Sequence, residues 1–192
     1  MVPGDPLTIL HDSLRGAPII WKGDYPYFIH PISDGIPRMD ADVLRATRDL
    51  IVDSIDWSEV DLIVTVEAMG LPLLAAVGDA TGKPTVVIRK RSYGMEGEVK
   101  VDVATGYSQS IVYINDIKPG ERVVIVDDVI STGGTLEPLL EQLESMGVIL
   151  HDVVVAIEKG EGRERLNRER PDWPVRSLAR IDIIDGKVEI ID

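Results

Sequence analysis

Short, largely apolar runs recur along the middle of the chain, and each is followed by a turn and often by a segment with helical spacing. Four of them cover residues 61–66, 85–88, 123–126 and 150–157. A nearly unbroken apolar run of this length is typical of a strand that is covered on both faces. After the third run, apolar side chains return every three or four residues, at Leu136, Leu139, Leu140, Leu143 and Met146. This alternation, with right-handed crossovers, predicts an α/β fold with a doubly wound parallel sheet.

The two ends of the chain have a different pattern. A helix is predicted over residues 42–55, after an aromatic stretch at residues 21–28. Residues 176–191 alternate between apolar and polar positions and turn at Asp185 and Gly186, which favours a hairpin. We therefore expect one domain over residues 1–192, with its core at 60–160 and a small hood formed by segments 1–40 and 160–192.

A long polar stretch interrupts the pattern at residues 91–110, with glycines at 94, 97 and 106. It is longer than an ordinary connection in a compact domain. We expect a flexible loop that closes over a site, and the alternative is plain surface disorder.

Composition excludes several classes of protein. The formal net charge of −13 argues against nucleic acid as a partner, because duplex binding needs a basic face. No cysteine is present, which excludes a disulfide framework and a thiolate metal site. The first residues lack the features of a signal peptide, and no apolar run approaches ~18 residues. We expect a cytoplasmic protein with no membrane partner.

The third apolar run, residues 123–126, begins the most informative segment of the chain, residues 123–135. Asp127 and Asp128 follow the run, and ligands of open α/β sheets bind at the carboxyl ends of strands. A turn rich in glycine and hydroxyl side chains then leads into a helix, and it consists of Ser131, Thr132, Gly133, Gly134 and Thr135. Its backbone N–H groups and the helix N-terminus suit a phosphate, while the two acids suit sugar hydroxyls or a hydrated divalent cation. The segment predicts a ribose-phosphate site and lacks the lysine of the Walker loop.

These thirteen residues resemble the phosphoribosyl-pyrophosphate (PRPP) signature of type I phosphoribosyltransferases. Residues 19–190 as a whole resemble the purine-salvage group, and most of all the archaeal hypoxanthine phosphoribosyltransferases. Residues 64–70 are similar to the family's pyrophosphate loop, 89–94 to the basic segment before its flexible loop, and 157–163 to the base-recognition segment of xanthine enzymes.

The resemblance implies transfer of the 5-phosphoribosyl group from PRPP to hypoxanthine or guanine, giving IMP or GMP and pyrophosphate, by a homodimer that uses Mg²⁺. The implied catalytic groups are Asp127, Asp128, Arg89 and Lys90. Ser131 to Thr135 would bind the 5′-phosphate, and Lys159 would bind the purine. The pyrophosphate would be held by Glu67, Ala68, Met69, Gly70, Arg89 and Lys90. No direct protein ligand to the metal is expected. PRPP would carry the Mg²⁺, and the ion would contact Asp127 or Asp128 through water.

Two positions depart from related patterns and leave alternatives open. Mammalian-type hypoxanthine-guanine enzymes carry an acid where this chain has Ser131, so the acceptor of the purine proton is unassigned. Adenine enzymes usually have arginine where Met69 stands and a glutamate near Gly106, but Ser131 and the paired acids also fit adenine-type signatures. An adenine phosphoribosyltransferase is therefore the first alternative. A non-catalytic regulator that senses PRPP or nucleotides is the second, although such regulators carry a DNA-binding segment that is not evident here.

Overall fold

The computed structural model describes residues 4–23, 25–105 and 108–191 of the chain, with the side chains of Tyr25, Thr105, Ser108 and Gln109 left aside. Its strands are β1 (Ile19–Lys22), β2 (Tyr25–Phe28), β3 (Leu62–Val66), β4 (Thr85–Ile88), β5 (Val99–Thr105), β6 (Ser108–Ile114), β7 (Arg122–Ile130), β8 (Ile149–Lys159), β9 (Val175–Ile184) and β10 (Lys187–Ile191). Its α-helices are α1 (Pro6–Arg15), α2 (Pro31–Asp34), α3 (Ala41–Asp53), α4 (Gly70–Thr81), α5 (Leu136–Ser145) and α6 (Gly162–Glu169).

A six-stranded sheet in the order β10-β9-β8-β7-β3-β4 organises the fold. Strands β4, β3, β7, β8 and β9 are parallel, and β10 closes one edge antiparallel to β9. One face packs against α5 and the β5–β6 hairpin through residues such as Leu139 and Val112. The other face packs against α1, α3 and α4 through residues such as Leu10, Ile51 and Leu73. The predicted α/β fold with a parallel sheet between two helical layers is confirmed.

Strand β7 extends further than the apolar run predicted. It continues through the two acids to Ile130, because Val129 and Ile130 still pair with β8, at Ile157 and Glu158. Asp127 and Asp128 therefore lie within the C-terminal half of the strand rather than just after it.

The structure differs from the expected loop at residues 91–110. Residues 99–105 and 108–114 form an antiparallel hairpin, with Val101, Val103 and Val112 almost completely buried against the α5 side of the sheet. The alternation of valine with Lys100 and Asp102 in the first strand provides this buried face. Gly106, where adenine enzymes have a nearby glutamate, and Tyr107 lie outside the described residues. Whether the hairpin moves stays a prediction.

The predicted hood forms only at its N-terminal end. There, β1 and β2 make a separate two-stranded sheet, followed by α2. The C-terminal segment does turn at Asp185 and Gly186, but β9 and β10 belong to the main sheet, because β9 pairs with β8 from Val175 to Ile181. Across the described ranges, no helix is both long enough and apolar enough to span a membrane.

Candidate functional site

A cavity of about 420 Å³ opens at the carboxyl end of the sheet, where the ends of β3, β7 and β8 meet. The β2 strand and α2 border it on one side and the β5–β6 hairpin on the other. Residues predicted for the site that line it are Glu67, Ala68, Met69, Lys90, Asp127, Asp128, the whole stretch from Ser131 to Thr135, and Lys159. Residues that lay far apart in the sequence therefore share one cavity.

The acid pair lies at the floor of the cavity. Both carboxyl groups are desolvated, and this burial is the main reason why the pKa of Asp127 and that of Asp128 lie above their ordinary value. The charge of Asp127 raises the pKa of Asp128 further, while Lys90 opposes the shift at Asp127. Two carboxylates held this close favour a ligand that brings hydroxyl donors or positive charge.

The loop from Ser131 to Thr135 connects β7 to α5. Gly133 has a φ of +80°, a conformation that glycine adopts at little cost. Helix α5 begins at Leu136, and the preceding Thr135 makes no side-chain cap. The N–H of Glu137 donates to the Gly133 carbonyl at 2.9 Å, so the N–H groups that suit an anion are those of the loop and of the very start of the helix. A loop of this kind suits an anion such as a phosphate.

The turn after β3 lies beside the acids. A β-carbon on Gly70 would stand 1.8 Å from Thr65 Oγ1 and 2.9 Å from Asp127 Oδ1, so the turn can approach Asp127 only with glycine at this position. The peptide bond between Glu67 and Ala68 is cis. Glu67, Ala68 and Met69 face the cavity, which puts backbone groups of the turn within reach of a ligand held by the acids.

The basic segment is held by an acid of this same turn. Glu67 accepts a hydrogen bond from the backbone N–H of Lys90 and forms an ion pair with Arg89, whose Nη1 lies 3.2 Å from Glu67 Oε2. Lys90 lines the cavity, whereas Arg89 is not among the lining residues and has its backbone paired to Tyr113. Of the two predicted basic groups, the structure therefore brings only Lys90 to the cavity.

Lys159 ends β8 and joins the sheet to the hood. Its Nζ donates to the backbone carbonyl of Pro26 over 2.8 Å. The preceding Glu158 is completely buried, and its Oε2 accepts from Arg163 Nε at 2.5 Å and from Ser177 Oγ at 2.6 Å. A fixed strand end thus presents the lysine to the cavity.

The hood side of the site was not predicted from the sequence. Tyr27, Phe28 and Ser33 line the cavity opposite the sheet, and Val155 contributes from β8. The aromatic stretch at residues 21–28 was the available signal, but its distance to the acids is set by packing.

Comparison with known proteins agrees with this geometry. Residues 36–182 match the phosphoribosyl transferase domain family. The chain is 48% identical over 181 residues to the hypoxanthine/guanine phosphoribosyltransferase of Methanocaldococcus infernus, covering 94% of this chain and 98% of that protein. It is also 48% identical to the Ferroglobus placidus protein of the same name, covering 97% and 98%.

Solved structures support the fold. The adenine phosphoribosyltransferase of Thermoanaerobacter pseudethanolicus superposes with a TM-score of 0.74 at 23% identity, over 91% of this chain and 99% of that one. The Trypanosoma brucei adenine phosphoribosyltransferase, in complex with AMP, pyrophosphate and ribose-5-phosphate, gives 0.75 at 19% identity, over 94% and 81%. At these identities the likeness concerns the fold alone.

Proposed function

This chain belongs to the phosphoribosyl transferase family, and from that premise we propose that it is a purine-salvage enzyme that uses hypoxanthine or guanine. It transfers the 5-phosphoribosyl group of PRPP to the purine and releases pyrophosphate, which gives IMP or GMP. The observation that carries the proposal is a single cavity shared by the acid pair, by Lys159 and by the loop from Ser131 to Thr135, which we call the phosphate loop. Relatives 48% identical over nearly their whole length bear the corresponding name.

The acid pair suits the reacting sugar. As pyrophosphate leaves C1, positive charge develops on the ribose, and fixed negative groups stabilise that charge. Asp127 and Asp128 also accept hydrogen bonds from the 2- and 3-hydroxyl groups, which holds the ring in place. No covalent nucleophile from the protein is needed.

The flanking segments suit the two ends of PRPP. The turn from Ser131 to Thr135 and the N-terminus of α5 receive the 5′-phosphate. On the other side of the acids, Lys90 and the backbone of Ala68 and Met69 receive the pyrophosphate.

The donor set also fits Mg²⁺ that arrives with PRPP. Within the described ranges, no cluster of three or more histidine, cysteine or acidic side chains is arranged to hold a metal. Two carboxylates with hard oxygen atoms face the cavity, and Mg²⁺ prefers a few such ligands together with water and substrate phosphates. When bound, the ion would neutralise charge on the leaving pyrophosphate. Asp127 and Asp128 would then orient its water ligands.

Lys159 is the group that selects the base. An ammonium group donates a hydrogen bond to the 6-oxo group of hypoxanthine or guanine, whereas the 6-amino group of adenine is itself a donor. The link from Lys159 to Pro26 holds the hood over this end of the cavity. A hood on one side and the β5–β6 hairpin on the other would exclude water, which competes with the purine as nucleophile.

A homodimeric state belongs to the same proposal and rests on the family resemblance, while a cytoplasmic location rests on the lack of cysteine. Light scattering after gel filtration measures the oligomeric state directly.

A nucleobase panel tests the function. The protein is incubated with PRPP, Mg²⁺ and one base at a time, namely hypoxanthine, guanine, xanthine or adenine, and nucleotide formation is followed by chromatography. Rapid formation of IMP and GMP is expected. Faster formation of AMP would replace the 6-oxopurine assignment with adenine, and no nucleotide from any base would refute the proposal.

A further inference from the structure

Every carbonyl of the phosphate loop from position 131 to 134 is held by a donor of another segment or of the next helix turn. Three of the donors are backbone N–H groups: Gly162 binds the Ser131 carbonyl at 2.9 Å, Glu137 binds that of Gly133 at 2.9 Å, and Ala104 binds that of Gly134 at 3.0 Å. The carbonyl of Thr132 is met by a side chain instead, Nη2 of Arg165 at 3.2 Å. The loop therefore has its acceptors engaged by the protein.

This arrangement matters because a peptide group has two ends. A phosphate is attracted by N–H groups and repelled by carbonyl oxygens, so a loop that binds it must keep its carbonyls turned away. The peptide between Thr132 and Gly133 has freedom to rotate, since Gly133 has no β-carbon and a positive φ, and the Thr132 carbonyl is held by a side chain whereas the other three carbonyls are held by backbone N–H groups. Rotation of that peptide would replace a donor with an acceptor.

Arg165 is well placed to prevent this rotation. Its guanidinium is held by Glu137 in the first turn of α5, with Nη2 at 2.6 Å from Oε2 and Nη1 at 3.2 Å from Oε1. Glu169, one turn further along α6, accepts from Nη1 at 2.8 Å. Nη2 also lies 3.3 Å from the place where a β-carbon of Gly133 would stand. The guanidinium is thus packed against the loop, and it is not among the groups that line the cavity.

We infer that Arg165 is a positioning residue for the 5′-phosphate site, which holds the Thr132 carbonyl away from the cavity so that the Gly133 N–H faces the anion. The inference rests on the proposed function for the identity of that anion as a ribose 5-phosphate group. It assigns the arginine a role beyond that of a partly exposed ion pair, which by itself contributes little.

Arg170 provides a matched control. Its Nη2 lies 2.6 Å from Glu144 Oε2, and its side chain is 32% exposed, compared with 31% for Arg165. It pairs with Glu144 at the far end of α5 and with Asp172, and it stacks on the Trp173 ring at 4.0 Å, so none of these partners belongs to the phosphate loop.

The test compares wild type, Arg165→Met and Arg170→Met by calorimetric titration with ribose 5-phosphate and by steady-state kinetics. Arg165→Met should raise the Kd for ribose 5-phosphate and the KM for PRPP about tenfold, as expected when a charged donor to a carbonyl is lost. The KM for hypoxanthine and the kcat at saturating PRPP should stay within about twofold, because no group that contacts the purine or the reacting atoms changes. Arg170→Met should match wild type.

A measurement on the unsubstituted chain keeps the inference testable should Arg165→Met not fold. The amide proton of Gly133 should shift downfield in NMR spectra as ribose 5-phosphate is added. An unmoved Gly133 amide, an unchanged Kd in Arg165→Met, or an equal loss in Arg170→Met would each overturn the inference. Wild type that binds ribose 5-phosphate and forms no nucleotide would instead refute the proposed function alone.

Discussion

Gly134 lies directly against the backbone of Ala104, so that a β-carbon at position 134 would stand 2.1 Å from the Ala104 carbonyl oxygen. In the other direction, the Ala104 N–H donates to the Gly134 carbonyl at 3.0 Å. The β5–β6 hairpin is therefore docked on the phosphate loop through two backbones, and the contact requires glycine.

Gly134→Ala should separate these two backbones. Either the hairpin or the loop has to shift by about an ångström, a displacement that can reduce rates about a hundredfold when it reaches reacting groups. We expect kcat/KM for PRPP to fall by about 10- to 100-fold in steady-state assays. Gly16→Ala is the control, because its β-carbon would meet nothing closer than 3.7 Å. Activity of Gly134→Ala equal to that of the control would contradict the docking.

Ligands should order the hairpin. Strands β5 and β6 pair with each other and join the rest of the protein through few backbone hydrogen bonds, including Ala104 to Gly134 and the bridge between Arg89 and Tyr113. Amide hydrogen exchange of residues 99–105 and 108–114 should slow when PRPP and Mg²⁺ bind. Strand β8 in the core serves as the internal reference. Equal exchange of the hairpin with and without ligands would contradict the prediction that the hairpin closes over the cavity.

Loss of either acid should slow turnover. Asp127→Asn and Asp128→Asn each replace a carboxyl group of the pair with a neutral amide, which reduces the negative charge available to the developing cation and should lower kcat by at least ~10²-fold. Asp102→Asn, which changes an exposed carboxylate of the hairpin, should have no such effect. Circular dichroism would check that the variants fold, and full activity in both site variants would refute the assignment.

The same acids predict how stability depends on pH. Burial raises the pKa of Asp127 to about 6 and that of Asp128 well above 3.8. The folded chain therefore keeps these protons to higher pH than the unfolded chain does. The free energy of unfolding that this protonation contributes is lost as pH rises from 3.8 through about 6 and beyond. The Tm of Asp128→Asn minus the Tm of wild type should accordingly become more positive between pH 5 and pH 8, because the variant no longer has the Asp128 carboxyl group that loses its proton. Parallel Tm curves for the two proteins would show that the acid pair is not buried in this way.

Lys159→Met should weaken purine binding selectively. The 6-oxo group would lose a charged donor, worth roughly 1.5 to 3 kcal/mol, so the KM for hypoxanthine should rise about ten- to a hundredfold. The KM for PRPP should stay nearly unchanged, and any use of adenine should not fall in parallel. Lys118→Met, at a side chain that is 71% exposed, is the control. A Lys159→Met enzyme that handles hypoxanthine as before would remove the 6-oxopurine assignment.

Contiguous segments carried most of what the sequence could predict. Strand β7, the acid pair, the phosphate loop and α5 follow one another within 23 residues from Val123 to Ser145, so side-chain periodicity, glycine conformation and the helix N-terminus define that part of the site locally. The turn after β3 was predictable for the same reason, and so was the parallel sheet.

Contacts between distant segments were decided only by the tertiary structure. Arg165 meets Thr132 across 33 positions, and Lys159 meets Pro26 across 133. The local sequence pattern contains no information about such pairs, because the side chains of Arg165 and Lys159 would be equally acceptable on a solvated surface. Likewise, the alternating C-terminal segment fits a separate hairpin as well as a sheet edge, and its pairing with β8 settles the choice. The sequence by itself determined the chemistry of the phosphate and ribose end, and packing determined which residues hold that chemistry in place and close the purine end.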